Sequence, residues 1–283
     1  MMIQPTIASR EVTLHILKTF DLHMSKKLGQ NFLIKKEVVD GIVAAGEVKA
    51  GNPVLEIGPG IGTLTQGLAE TGASVTAVEL DRKLIGVLSK TLAGYENVRV
   101  IHGDILKIDI SREIEQHPFK VIANLPYYIT TPIIMMLLET RLPIELLVTM
   151  VQKEVAERMV AKPGSKTYGA LSVAVQYYTE PSIMFTVPPS SFIPAPAVES
   201  AVIRCRVRRE PPVAVNEKAF FWIVKAAFSQ RRKTLSNTLR AAGLSKELVD
   251  RVLAAAGIDG GRRGETMSLD EFAAVANAWV ELR

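Results

Sequence analysis

A single cysteine, Cys205, occurs in the 283 residues, which excludes an internal disulfide and a cysteine-built zinc site. It sits in the strand-like run AVIRCRV, where a thiol is more often buried or at a sheet edge than a nucleophile. No apolar run reaches the ~18 to 20 residues that a membrane helix needs, so no membrane partner is expected. The opening MMIQPTIASREVTLHILKTF has no clean apolar stretch followed by a small-residue cleavage site, and it reads as something other than a signal peptide. Internal repeats and low-complexity tracts are missing too. What is there is an ordinary globular balance, 48% hydrophobic and 22% charged, in a chain long enough for one large domain and one small. A cytoplasmic monomer is the expectation.

The net charge of +5 is modest, and its distribution says more than its size. Arg231, Arg232 and Lys233 fall in a stretch from Lys225 to Arg240 without an acidic residue. Arg158, Lys162 and Lys166 form a second such stretch, and Arg204, Arg206, Arg208 and Arg209 a third. Lys26, Lys27, Lys35 and Lys36 flank LGQNFL. Any one patch could be a solvated face. Several separated ones point to a polyanion lying across the protein, with backbone phosphates supplying affinity.

From about Pro53, short apolar runs alternate with amphipathic stretches. VLEI (54–57), SVTAVEL (74–80), VRVI (98–101), KVIANL (120–125) and LLVTMV (146–151) read as buried strands rich in β-branched residues. GTLTQGLAETG and DRKLIGVLSKTLAG between them carry helical spacing. The alternation predicts an α/β fold, a Rossmann-like, mostly parallel sheet with helices on both faces. Around SIMFTV and AVESAVIRCRV two strands follow with only a proline-rich loop between, which predicts an antiparallel sheet edge. RREPPV (208–213) reads as a linker. Beyond it come helical patterns alone, EKAFFWIVKAAFSQRRKTLSNTLRAAG, SKELVDRVLAAAG and SLDEFAAVANAWVEL, with Gly243 and Gly257 at their ends and Ser245 and Ser268 as N-caps. The expected division is an N-terminal extension (1–25), a catalytic domain (26–207), the linker and a small α-helical domain (214–283).

VLEIGPGIGTLT places Gly58, Gly60 and Gly62 between a strand and a helix, where glycine allows a tight turn and a close backbone approach to a ligand. Many α/β proteins have such a turn for packing alone. Here the spacing is G-x-G-x-G, with Thr63 where a dinucleotide fingerprint has its third glycine. Glu56, inside the strand before the loop, suits a cationic amino-acid ligand better than a pyrophosphate. Glu79 ends the next strand and is placed for a ribose diol. After the third strand, Asp104 can accept from an adenine amino group. Three acids at successive strand ends favour S-adenosylmethionine over NAD.

The fourth strand ends in Asn124-Leu125-Pro126-Tyr127. An exocyclic adenine amine is a poor nucleophile because its lone pair is delocalised into the ring. Two acceptors held against its hydrogens, the Asn124 amide oxygen and the Leu125 carbonyl, would localise that pair. Pro126 would aim the carbonyl and Tyr127 would stack on the base. The same residues also make an ordinary strand-to-loop turn.

LGQNFL (28–33), EIGPGIGTLT (56–65), ANLPYY (123–128), QKEVAERM (152–159), YGALSV (168–173), VPPSSFIPAPAVESAV (187–202) and AFSQRRKTLSNTL (227–239) resemble, in order, the motifs of the ribosomal RNA small subunit adenine dimethyltransferase family, kasugamycin-sensitivity type. The resemblance runs from about Lys26 to the C-terminal helices. It implies N6,N6-dimethylation of two adjacent adenosines in the 3′-terminal hairpin of 16S rRNA, on a nearly assembled small ribosomal subunit. It implies cofactor contacts at Asn31, Leu33, Gly58, Glu79, Asp104 and Asn124, of which Asn31 and Leu33 rest on the resemblance alone. Phe192 matches the family's second aromatic for clamping the flipped adenine; by itself it reads as core. Ala123 stands where many relatives have glycine, and the first ~24 residues lie outside the shared motifs.

Three alternatives compete. The related family that dimethylates large-subunit rRNA shares the Asn-x-Pro-Tyr chemistry, but Leu125, FIPAPAVESAV and AFSQRRKTL point to the small-subunit type. A non-enzymatic RNA-binding factor on the same fold is opposed by the intact glycine loop and Asn-Leu-Pro-Tyr turn. An NAD-dependent dehydrogenase is opposed by Thr63 and by the lack of a hydride-site His or Tyr at the sheet edge.

Overall fold

The computed structural model describes residues 5–23, 29–114 and 117–283. Lys26 and Lys27, named above as part of a basic patch, and Leu28 lie outside the described residues. By internal contacts the chain divides into two compact units, Met1–Ala156 with Ser182–Val207, and Glu157–Pro181 with Arg208–Arg283.

The first unit is built on a seven-stranded sheet. Its strands are β2 (Pro53–Ile57), β3 (Ser74–Glu79), β4 (Val98–His102), β5 (Phe119–Asn124), β6 (Ile144–Gln152), β7 (Thr179–Val187) and β9 (Ser200–Val207), in the order β4-β3-β2-β5-β6-β9-β7. The first five pair parallel with one another, and β9 runs antiparallel to β6. Val54, Leu55, Ile57, Val121, Ile122 and Val148 are all buried, as strands covered on both faces require. Helices α3 (Thr63–Glu70), α4 (Arg82–Thr91), α5 (Ile110–Glu113) and α6 (Thr130–Glu139) fill the crossovers. From β2 the chain steps outward through β3 and β4, then returns to place β5 on the other side of β2. That reversal opens a crevice at the carboxyl ends of β2 and β5, where sheets of this kind bind ligands.

Two parts of this unit go beyond the periodicity. The stretch expected as an extension contains helix α1 (Arg10–Thr19), capped by the Ser9 side chain. Ile7, Ile16 and Leu17 pack with Phe32, Ile61, Leu84 and Leu88 in one apolar cluster. The buried Gln66 side chain accepts from Ile7 N–H at 2.8 Å and donates to Pro5 O at 3.2 Å, tying the segment to α3. Further on, β1 (Phe32–Leu33) pairs antiparallel with β8 (Phe192–Ile193), and α2 (Lys36–Ala45) follows directly.

The second unit contains α8 (Ala170–Tyr178), α9 (Glu217–Ala227), α10 (Leu235–Ala241), α11 (Lys246–Ala256) and α12 (Leu269–Leu282); α7 (Lys153–Val160) runs across the unit boundary. Ser245 and Ser268 cap α11 and α12 through their side chains, the latter in a box with Glu271. Glu157–Pro181, expected with the catalytic domain, clusters here because Tyr177 stacks on Phe220 and Tyr178 on Phe221, at 5.0 and 5.5 Å between ring centroids. The pattern expected as one helix over EKAFFWIVKAAFSQRRKTLSNTLRAAG is two, α9 and α10, so Arg231, Arg232 and Lys233 stand on a turn rather than a helix face. No helix among the described residues is long and apolar enough to cross a membrane.

Candidate active site

Parallel pairing brings the carboxyl ends of β2 to β5 to one edge. Gly58 N–H donates to Val78 O and Gly103 N–H to Glu79 O, both at 2.9 Å, so the loops leave the sheet level with one another. A cleft opens there, walled by the loops that leave β2, β3, β4 and β5. Of the residues expected to bind cofactor, Asn31, Leu33, Glu56, Gly58, Gly60, Glu79, Asp104 and Asn124 line it, as do Leu125, Pro126 and Tyr127 of the expected reaction site.

The glycine loop needs its glycines for two reasons. Gly60 has φ +63°, and a Cβ built on it would come within 3.2 Å of the Phe32 ring. Gly62 has a different job. It does not line the cleft, and the space a Cβ would take is filled by Leu92 and Thr91, so it lets the start of α3 pack on the end of α4.

Glu56 is 1% exposed, and its Oε2 has no hydrogen-bond partner; Thr63 Oγ1, on the same wall, has none either. Burial pushes the Glu56 carboxyl up to about 8, and repulsion from Glu79 adds to the rise. Glu79 is held by its neighbours: Oε2 accepts from Gly60 N–H at 3.1 Å and Oε1 from Asp81 N–H at 2.8 Å. Burial raises its pKa as well, against the opposing effect of those two N–H groups. Asp81 also accepts from the Gln30 side chain at 3.0 Å, which joins the segment before β1 to the same corner. Asp104 Oδ1 takes the Leu106 N–H at 3.1 Å, fixing the carboxylate at the end of β4.

At the fourth strand end, Asn124 Nδ2 donates to Asn31 O at 3.3 Å. That contact sets the amide orientation and leaves Oδ1, an acceptor, free beside the cleft. Ile129 N–H and Thr130 Oγ1 both donate to Pro126 O, at 3.2 and 3.0 Å, which fixes the turn. Tyr127 is half-buried, its hydroxyl 2.5 Å from that of the buried Ser200, and burial raises its pKa. Phe192, expected to clamp the adenine, is 3% exposed; it pairs with the cleft residue Leu33 between β1 and β8 and clusters with Val148 and Met150.

The structure adds wall residues that the sequence reading passed over: Gln30, Phe32, Leu80, Ile105 and Tyr128. Leu80 and Ile105 each follow a strand-end acid, and an apolar residue in a turn that should be polar was the available signal. Phe32 carried none, because its role rests on a contact with Gly60 across the fold. Of the basic residues, Arg231, Arg232 and Lys233 are exposed and in no ion pair among the described residues. Arg204 and Arg206, by contrast, share Glu47, and Arg208 pairs with Glu180, so two carboxylates offset part of that stretch within the fold.

The model of the ribosomal RNA adenine dimethylase family matches residues 22–279. The chain belongs to that family. The ribosomal RNA small subunit methyltransferase A of Alkaliphilus oremlandii is 51% identical over 278 residues, 96% of this chain and 97% of that one. Among solved structures, a dimethyladenosine transferase from Plasmodium falciparum superposes with a TM-score of 0.74 at 26% identity, over 86% of this chain and 95% of that chain. The 23S rRNA methyltransferase ErmE gives 0.69 at 27% identity, over 88% and 100%. Adenine dimethylases take their methyl groups from S-adenosylmethionine, and the cleft fits that molecule on its own terms. A buried carboxylate with an unpartnered oxygen awaits a cation, and a second carboxylate is oriented by two N–H groups at the neighbouring strand end.

The Glu56 burial has a measurable cost. Its folded pKa of about 8 lies above the 4.5 of an unstructured carboxyl, so the folded state binds the proton more tightly. Its contribution to stability is therefore fully present below pH ~4.5 and is lost as pH rises through ~8. Without cofactor, Glu56→Gln should melt higher than wild type by on the order of 5 °C at pH 8, with the gap closing toward pH 5. A gap independent of pH, read by calorimetry, would show that Glu56 is not the buried, protonated group described.

Proposed function

We propose that this protein transfers methyl groups from S-adenosylmethionine to N6 of two adjacent adenosines in the 3′-terminal hairpin of 16S rRNA, during assembly of the small ribosomal subunit. The observation that carries the chemistry is the Asn124 amide, whose nitrogen is engaged by Asn31 O, in a cleft that Leu125, Pro126 and Tyr127 also line. The choice of small over large subunit is supported by 51% identity to a small subunit methyltransferase A, against 27% to the 23S enzyme ErmE. The free monomer in the cytoplasm is part of the same reading.

When bound, S-adenosylmethionine supplies an electrophilic methyl group. Glu56 would hold its ammonium, Glu79 its ribose hydroxyls and Asp104 its adenine amine, each from a strand end already level with the others. Leu80 and Ile105 offer the apolar faces for the adenine ring. On the substrate side, Asn124 Oδ1 and the Leu125 carbonyl accept from the two N6 hydrogens of the target adenosine. They draw the nitrogen toward tetrahedral geometry and free its lone pair. Pro126 and the turn behind it keep the carbonyl aimed, and Tyr127 stacks on the base. Methylated nitrogen carries charge and sheds its proton readily, so no strong general base is required. The rate then comes from proximity and from acceptors fixed beforehand. The C-terminal helical unit, with Arg231, Arg232 and Lys233 exposed on its α9–α10 turn, serves rRNA binding in this account.

Two measurements test the reading. In single-turnover methylation of unmodified small subunits at saturating cofactor, Asn124→Ala should be slower by ~10²- to 10³-fold, while Asn124→Asp, which keeps the acceptor, retains partial activity. An alanine variant as fast as wild type would remove the turn from the chemistry. Neutralising Arg231, Arg232 and Lys233 together should weaken subunit binding and lower its salt slope by about one per lost phosphate contact, with cofactor affinity intact. Normal binding at every salt concentration would leave the turn a solvated surface.

A further inference from the structure

The turn after β5 carries two consecutive tyrosines with opposite environments. Tyr127 is half-buried and tethered to Ser200. Tyr128 also lines the cleft but is 55% exposed, the most exposed of the large apolar side chains, and its hydroxyl makes no hydrogen bond among the described residues. Gly29 stands beside it: a Cβ there, where φ is +59°, would come 3.4 Å from Tyr128 Cδ1 and 3.6 Å from Pro126 Cβ, so the Gly29 backbone passes close to the Cδ1–Cε1 edge of the ring. A free tyrosine ring costs surface exposure of apolar area and gains nothing from solvent at its faces. With Gly29 beside it and more than half of its surface exposed, at the rim of a cleft, it can serve as a stacking platform for a planar ligand.

We infer that Tyr128 is the stacking platform for the unpaired base next to the target adenosine, and so a specificity-determining residue for single-stranded RNA with adjacent purines. The inference rests on the methyl-transfer reading above and deepens it. Extruding one base breaks its stacking on the neighbour, and the neighbour is left with an exposed face. Successive tyrosines on one turn then match successive bases: Tyr127 receives the target inside the cleft, and Tyr128 replaces the lost stacking partner of the base that stays at the rim. The contact is made by the π-face and not by the hydroxyl, consistent with a hydroxyl that nothing in the fold engages. Phe192, buried in the core, is not available for this role.

The test is steady-state methylation of unmodified small subunits, with the subunit titrated at saturating S-adenosylmethionine, by wild type, Tyr128→Ala and Tyr128→Phe. Loss of one base–aromatic stack should raise the KM for subunits about 5- to 150-fold in Tyr128→Ala. Tyr128→Phe should restore it, because the ring remains. Calorimetric affinity for S-adenosylmethionine and thermal melting of the alanine variant confirm that the cleft is intact. A folded, cofactor-binding Tyr128→Ala with the wild-type KM overturns the inference, as does a Tyr128→Phe as impaired as Tyr128→Ala, which would assign the effect to the hydroxyl. If wild type itself fails to methylate small subunits, the reading of the function fails, and that outcome is separate from either of these.

Discussion

Two carboxylates buried at one sheet edge, Glu56 and Glu79, are the constraint around which the first unit is arranged. Burying a charge without a partner is expensive, and the fold meets that cost by raising both pKa values instead of supplying a cation. Among the described residues no lysine or arginine side chain lines the cleft; the donors to Glu79 are backbone N–H groups of Gly60 and Asp81. A cationic ligand would supply the missing partner. Keeping that edge dry is the work of the wall before β1. Phe32 closes over Gly60, Gln30 reaches Asp81, and the cluster of Ile7, Ile16 and Leu17 backs Phe32 from behind.

The target side of the cleft follows a different rule. Nothing there has to be charged, because a delocalised amine needs only two acceptors in fixed positions. Asn31 O turns the Asn124 amide, and the hydrogen bonds to Pro126 O fix the turn that presents Leu125 and the two tyrosines. Preorganised dipoles of this kind act without reorganising as charge develops. In the proposed function Asn31 would serve both halves of the cleft: it lines the same wall as the glycine loop, and its carbonyl accepts from the Asn124 amide assigned to the base.

Much of this was legible in the sequence because the relevant signals are local. Strands buried on both faces appear as unbroken apolar runs, and the acids at 56, 79 and 104 stand at or beside their ends, so both the parallel sheet and the cleft lining could be read residue by residue. Contacts between distant segments left no such trace. The pairing of Phe32 with Ile193 and of Arg206 with Glu47 joins segments more than 150 residues apart, and it buries Phe192 against Leu33 and offsets part of one arginine stretch. Gly62 looked like its neighbours because every glycine in a turn looks alike; only the Leu92 side chain beside it reveals packing as its reason. The run of three cations at 231–233 kept helical spacing on either side, which concealed the break between α9 and α10.

The central claim, that a buried protonated carboxyl waits for the ligand's cation, has a direct measurement. Titration of S-adenosylmethionine into the protein at pH 7, in two buffers of different ionisation enthalpy, counts the protons exchanged on binding. With Glu56 protonated at a pKa of about 8 and ionised once it faces an ammonium, binding should release close to one proton in wild type and almost none in Glu56→Gln. Binding without proton release in wild type, or an equal release from the glutamine variant, would contradict the account.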